Sequence, residues 1–294
     1  MKLADDSGYF TLINTGYDEE GYRMDYFLSS PEEVVSGNFT SIYPELITQC
    51  GDVIYGAHNK TQIVPSAAPP EEFQLMQLYP LTENPKLAVF SQQLPDGWHL
   101  SYTSDSAPCI DGVVYAIGAV SNTGYGAPEI ETELIGQSGT FFAQVPTLLK
   151  WDTKSGVLSI INLVDDQGET FPPESHMPFS TNRNGLEVWG DSIYWLNGVN
   201  HAVMKTSLET GISEALWVVE EVRDAGASQN TQYQLIDHQL HLVNLDKDSF
   251  KSRYRVYNLG NGRVLEQISL EALSLSTSNF GLSGFAVRAE DFPN

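Results

Sequence analysis

Apolar and polar residues alternate in short runs along most of this chain, and one four-residue phrase keeps returning among them. A turn residue, Gly or Asp, is followed by two residues and then an aromatic: Asp52-Val53-Ile54-Tyr55, Gly112-Val113-Val114-Tyr115 and Asp191-Ser192-Ile193-Tyr194. His238-Gln239-Leu240-His241 is a weaker copy, and Gly8-Tyr9-Phe10 is an eroded one. Runs of this length, bounded by turn residues, read as strands. Taking Phe10, Tyr55, Tyr115, Tyr194 and His241 as equivalent gives intervals of 45, 60, 79 and 47 residues. An interval of about 45 residues suits one four-stranded propeller blade. The pattern therefore predicts an all-β chain forming a single β-propeller of five four-stranded blades, or six if the natural chain runs on.

Within each blade the phrase is the second strand, b, of a, b, c, d counted from the axis outward. Strand a precedes it at Leu46–Thr48, His99–Thr103, Leu186–Trp189 and Gln232–Ile236. Strands c and d meet at Thr153-Lys154-Ser155-Gly156, Glu209-Thr210-Gly211 and Gly260-Asn261-Gly262, where Gly supplies a turn's positive φ. The first blade has b, c and d near Tyr9–Asn14, Tyr22–Ser29 and Asn38–Ile42, with no strand a before them. The strand-like run Gly281–Arg288 is expected to fill that place, which would remove the exposed edge.

The long intervals carry insertions at 59–72, 121–145 and 165–183, marked by Pro, Gly and Ser. Strand direction alternates within a blade, so b–c and d–a connections leave from one end and a–b and c–d turns from the other. Segments 59–72 and 121–145 are b–c connections; 165–183 and 219–231 are d–a connections. All the elaboration is thus expected on one face, where a rigid scaffold usually carries its binding residues. The candidates there are His58, Lys60, Tyr125, Phe141, Phe142, His176, Phe179, Arg183 and His201. Aromatics beside polar groups suit a small molecule or a glycan, although such side chains also pin loops to a scaffold. Arg183 is notable in a Lys- and Arg-poor chain because its planar fork can hold an anion.

Composition narrows the partners. The chain holds 38 acidic and 15 basic residues, a net charge of -23, with 41% apolar residues for a core. That field repels phosphate backbones and anionic lipid, so nucleic acid and a peripheral membrane surface are not expected partners. No stretch approaches the roughly 18 apolar residues of a membrane span. Met1–Asp6 lacks the apolar centre of a signal peptide. The Lys-poor composition, rich in Tyr, Asn, Ser and Thr, is read as an exported bacterial domain whose export segment has been cut away. Cys50 and Cys109 each just precede a copy of the phrase. The expectation is two small buried side chains, because adjacent inner strands are often spaced beyond disulfide reach; a disulfide is the alternative outside the cytosol.

Catalytic signatures are scarce. There is no Gly-x-Ser-x-Gly elbow, phosphate loop, His-Glu-x-x-His or zinc-spaced Cys pair. Asp165-Asp166-Gln167-Gly168-Glu169 lacks the alternating ligands of an EF-hand and reads as a solvated turn. Glu129, Glu131 and Glu133 read as a solubilising strand edge. His238 and His241 are expected on opposite faces of one strand, which argues against a shared metal. No cofactor is expected. The alternative is a hydrolase or lactonase with an axial divalent metal, for which Asn14, Asn59 and Asn197 are candidate ligands. Asn at strand ends is also ordinary turn chemistry.

Asp191–Leu196, followed by Val203-Met204-Lys205 and Leu208–Gly211, resembles a repeat of the YWTD-type and TolB-like propellers. Tyr26–Pro31 with Ser36-Gly37 resembles propeller lipoproteins of gut bacteria. The first resemblance implies an exported domain that binds ligands or proteins without performing chemistry. Neither resemblance assigns a role to any residue.

Overall fold

The computed structural model describes residues 8–18, 21–40, 44, 46–59, 72–80, 89–93, 98–104, 107–122, 143–171, 185–220, 231–246 and 251–270. It is an all-β chain of five antiparallel blades. The first contains β1 (Tyr9–Asp18), β2 (Gly21–Ser29) and β3 (Val34–Thr40), paired in that order. The second is β4 (Leu46–Cys50), β5 (Val53–Asn59), β6 (Glu72–Tyr79) and β7 (Val89–Gln93). The third runs β8 (Trp98–Thr103), β10 (Val113–Asn122), β11 (Ala143–Asp152) and β12 (Leu158–Asn162), with the two-residue β9 (Cys109–Ile110) also on β10. The fourth is β13 (Leu186–Trp189), β14 (Ser192–Leu196), β15 (Ala202–Ser207) and β16 (Ser213–Val218). The fifth is β17 (Thr231–Ile236), β18 (Gln239–Asp246), β19 (Lys251–Asn258) and β20 (Val264–Leu270). The run 281–288 lies outside the described residues.

The leading residues of the repeated phrase make the a–b turns. Each is a two-residue hairpin closed by Cys50↔Val53, Ile110↔Val113, Trp189↔Ser192 or Ile236↔Gln239. Gly51 and Gly190 take positive φ at the first turn position; Asp111-Gly112 and Asp237-His238 take it at both. Such backbones twist in the sense that antiparallel strands need. His238 is therefore a turn residue at φ 62°, not the strand residue its spacing from His241 implied.

The phrase also explains how the sheets pack. Successive strand residues point to opposite faces. Phe10 of the first sheet shares a core cluster with Ile54 of the second. Tyr55 of the second shares one with Val114 of the third, and Tyr194 of the fourth with Leu240 of the fifth. In each case the aromatic of one copy lies in the same core cluster as the apolar residue just before the aromatic of the next copy. Full burial of each such Ile or Leu contributes about 1.5–3 kcal/mol. Where the fifth copy has His in place of Tyr, His241 is buried and its Nδ1 lies 2.8 Å from the Tyr254 hydroxyl.

The clusters fall into two compact units. One comprises Met1–Thr103, Ala107–Leu163 and Thr170–Pro173; the other comprises Ser104–Ser106, Val164–Glu169 and Glu174–Asn294. The first three sheets belong to the former and the last two to the latter. In the second unit the fourth and fifth sheets are stitched together by side chains. Trp217 donates its Nε1–H to the Leu259 carbonyl at 2.8 Å, and Tyr233 donates its hydroxyl to the Gly185 carbonyl at 3.2 Å. Within the fourth sheet the buried Trp195 Nε1–H donates to Thr206 Oγ1 at 3.0 Å, and that hydroxyl lies 2.8 Å from Ser213 Oγ.

Four expectations are corrected. Cys50 and Cys109 form a disulfide: the a–b hairpins of the second and third sheets bring their Cα atoms to 5.3 Å. The inner strand of the third sheet runs over His99–Thr103 as β8, but it does not reach the a–b turn, where a second piece, β9, pairs instead. The outer strand of the first sheet starts at Val34 rather than Asn38, because Ser30 and Glu33 close the preceding turn through a 2.8 Å backbone bond. The c–d connection of the second sheet spans residues 80–88 instead of a tight Gly turn, so not every long connection follows strand b or d.

Candidate functional site

The end of each sheet from which its b–c and d–a connections leave was expected to carry the site. The fourth sheet shows how such an end is built. Asn197, fully buried just after β14, accepts the Val199 N–H on its Oδ1 at 2.8 Å and donates its own N–H to the Ala202 carbonyl. Asn200 Oδ1 accepts the Ala202 N–H at 3.0 Å. These bonds bend the chain so that His201 sits at φ 58°, donating its N–H to the Asn197 carbonyl at 2.9 Å. The His201 carbonyl in turn accepts the Val219 N–H at 2.9 Å. The b–c turn and the first residue of the d–a connection are thereby tied together.

His201 is thus placed on the expected end. His58 is the penultimate residue of β5, paired with Gln74 two residues before the b–c connection begins. Lys60, Tyr125, Phe141, Phe142, His176, Phe179 and Arg183 lie outside the described residues, as do Glu129, Glu131 and Glu133. Of the axial Asn candidates, Asn197 spends its carboxamide oxygen on turn hydrogen bonds, and Asn14 Oδ1 accepts the Gly16 N–H at 3.0 Å. Asp165 Oδ1 accepts the N–H groups of Gln167 and Glu169, both at 2.9 Å, around Gly168 at φ 83°. That is the geometry of an Asx-type turn. Among the described residues no three His, Cys, Asp or Glu side chains gather as metal ligands.

The opposite, a–b end of the fourth and fifth sheets holds a polar cluster that the sequence did not reveal. Glu187 Oε1 accepts the His238 N–H at 2.9 Å and lies 3.1 Å from His238 Nδ1. The His238 ring stacks on Trp189 with centroids 4.0 Å apart, and Trp189 is tilted 5.9 Å from Tyr194. Burial holds the Glu187 carboxyl above the usual range, opposed by the His238 bonds. The same burial lifts Tyr194 and, farther along the fifth sheet, Tyr254, which is pushed up to about 12. Lys205 reaches Glu214 Oε1 at 3.1 Å, which raises the Lys205 ammonium. The signal available in sequence was positional: Trp189 precedes, and His238 lies within, equivalent a–b turns. What it lacked was any indication that an Asp-His pair makes a turn.

Successive antiparallel sheets of this kind are the blades of a β-propeller. The YycP beta-propeller domain family matches residues 137–286, just over half of the chain. The chain belongs to that family. Solved structures with a related arrangement share little sequence with it. Polysaccharide lyase Uly1 aligns with a TM-score of 0.47 at 13% identity, over 87% of this chain and 57% of that one. An apocarotenoid oxygenase of Synechocystis gives 0.45 at 8% identity, over 89% and 57%. The nidogen/laminin complex gives 0.36 at 14% identity, over 73% and 62%. The chain therefore spans less than two thirds of each of these solved chains. A comparison with curated proteins returns no match.

Proposed function

We propose that this propeller is a non-catalytic, extracytoplasmic binding module that takes a small ligand, a glycan or a partner protein. Its contact surface is formed by the connections that follow strands b and d. The observation that carries this reading is where the chain is elaborated. Segments 60–71 and 123–142 follow the second strands of their sheets, and 163–185 and 219–230 follow fourth strands, so each leaves its own sheet from the b–c end. The tie between His201 and Val219 supports it, because it fixes the bases of two such connections against each other. The Cys50–Cys109 disulfide supports the extracytoplasmic placement, since structural disulfides persist in oxidising compartments. The resemblance of 191–211 to YWTD-type and TolB-like repeats points the same way.

Deleting 123–142 and bridging the ends of β10 and β11 with a short Gly-containing turn tests the reading. The first step is a thermal-shift screen of the intact protein against sugars, iron chelates, divalent metals and a chelator. A ligand at a hundredfold excess over its dissociation constant adds about 2.7 kcal/mol of stability. The deletion is expected to abolish that shift while leaving the melting temperature of the free protein nearly unchanged. A retained shift refutes the loop surface. Destabilisation by the chelator, reversed by a divalent ion, moves the assignment to a metal-dependent hydrolase.

A further inference from the structure

The third sheet has a broken inner strand, and the disulfide sits at the break. In the other sheets with a described inner strand, pairing is continuous: Leu46–Cys50 on β5, Leu186–Trp189 on β14 and Thr231–Ile236 on β18. In the third, β8 covers β10 from Gly118 to Asn122, while β9 covers only Val113 and Val114. Next to β9, Tyr115 donates its N–H to the Pro108 carbonyl at 3.0 Å. The strap 107–110 takes its other anchors from the neighbouring second sheet. Cys109 is bonded to Cys50 at the end of β4, and Thr48 Oγ1 donates to the Ala107 carbonyl at 2.6 Å. Ala107 helps to bury Tyr55 and Val114 in the core between these sheets, whereas Ile110 is 43% exposed.

We propose that the Cys50–Cys109 disulfide is a thiol-responsive latch whose reduction releases the 107–110 strap locally and bares the inner edge of β10 from Val113 to Tyr115. A two-residue ladder is the shortest strand pairing among the described residues of this unit, and local opening follows the segments with the fewest contacts. The ten-residue pairing of β10 with β11 does not depend on the strap. Both cysteines are only partly buried and adjoin the exposed Gly51-Asp52 turn and the Asp111-Gly112 turn, so an attacking thiolate can reach them. The reductant is a small dithiol. One of its thiolates attacks a protein sulfur, giving a mixed disulfide and one free cysteine. Its second thiolate then displaces the other cysteine. The dithiol ends as a cyclic disulfide, having passed two electrons to the protein sulfurs and its two thiol protons to the new Cys50 and Cys109 thiols. The bared edge carries unpaired backbone groups able to accept an added strand.

Pulsed hydrogen exchange on the intact protein, before and after treatment with excess dithiothreitol, tests the latch. Reduction is expected to accelerate exchange in peptides covering 107–115 by about tenfold or more. Peptides from β14–β15 and β18–β19 are expected to stay protected on the same pulse. The Cys50→Ser/Cys109→Ser variant should show the released pattern without reductant, and Thr48→Val should loosen the strap only partly in the oxidised protein. Equal acceleration in every sheet, or a double variant that cannot fold, means that the bond holds the whole fold, and the proposal falls. Unchanged exchange at 107–115 after reduction, or a bond that resists dithiothreitol in the folded protein, overturns it equally.

Discussion

Replacing Gly262 with Ala isolates one of the contacts that join the fourth sheet to the fifth. Gly262 lies in the β19–β20 turn at φ 68°, with its N–H donated to the Asn258 carbonyl at 2.9 Å. A Cβ built there would stand 2.6 Å from Trp217 Cδ2 and 2.8 Å from Cε3. The indole has little freedom to retreat, because its Nε1–H is bonded to the Leu259 carbonyl and its ring lies 5.5 Å from Tyr257. Two costs follow for Gly262→Ala. Holding an L-residue at this φ costs about 1–2 kcal/mol. Forcing a methyl into the indole costs about 1–3 kcal/mol more. In a Trp217→Ala background only the first cost remains, so the two substitutions should show a coupling of about 1–3 kcal/mol. Urea unfolding of the four proteins, followed by far-ultraviolet circular dichroism so that loss of a Trp does not distort the signal, measures the cycle. Additivity within about 0.5 kcal/mol would refute the argument, since it would mean the indole and the turn do not share that space.

Three further outcomes are expected. Thr206→Val removes the hydroxyl that accepts from Trp195 and contacts Ser213, and should cost about 1–3 kcal/mol in chemical denaturation, whereas Thr206→Ser keeps that hydroxyl and should cost only the lost buried methyl, about 0.5–1.5 kcal/mol. Burial lowers the His241 pKa below its ordinary 6.5, so the unfolded chain takes up its proton first as pH falls. The associated stability is complete above that value and drains away as pH drops through it toward the folded-state value; melting curves between pH 7.5 and 5 should show this, and His241→Phe should flatten the dependence. Glu187 is raised instead, so its contribution is present below the unfolded carboxylate value and is lost as pH rises through the folded one. Glu187→Gln, which keeps an acceptor for His238, should therefore be milder at pH 7 than Glu187→Ala, and thermal melts of the two variants decide it.

Much of the scaffold could be read from the chain because the information is local. Gly51, Asp111-Gly112 and Gly190 announce their turns by residue type, and the alternation beside them gives the strands directly. Asp237-His238 turns in the same place without a Gly, which is why His238 was set on a strand. The disulfide was legible only as a coincidence of position: whether two hairpins approach within bonding distance depends on the core that Tyr55 and Val114 share between the second and third sheets. The break in the third inner strand was hidden for a similar reason, since His99–Thr103 has strand character whether or not it reaches the turn. Of the candidate site, the turn chemistry of Asn197 and the place of His201 follow from strand order. What the loops bring to one another depends on long-range packing that residue spacing does not encode.

The staggered use of the phrase bears on how such a chain grows. The second copy contributes its aromatic, Tyr55, to the core shared with the third sheet and the preceding Ile54 to the core shared with the first. A tandem duplication of one unit would therefore arrive with both halves of a fitting joint already in place. A copy that later lost its aromatic would weaken only one seam, leaving its partner seam intact while a substitute was found. In the fifth copy His241 holds the Tyr position, with its Nδ1 2.8 Å from the Tyr254 hydroxyl.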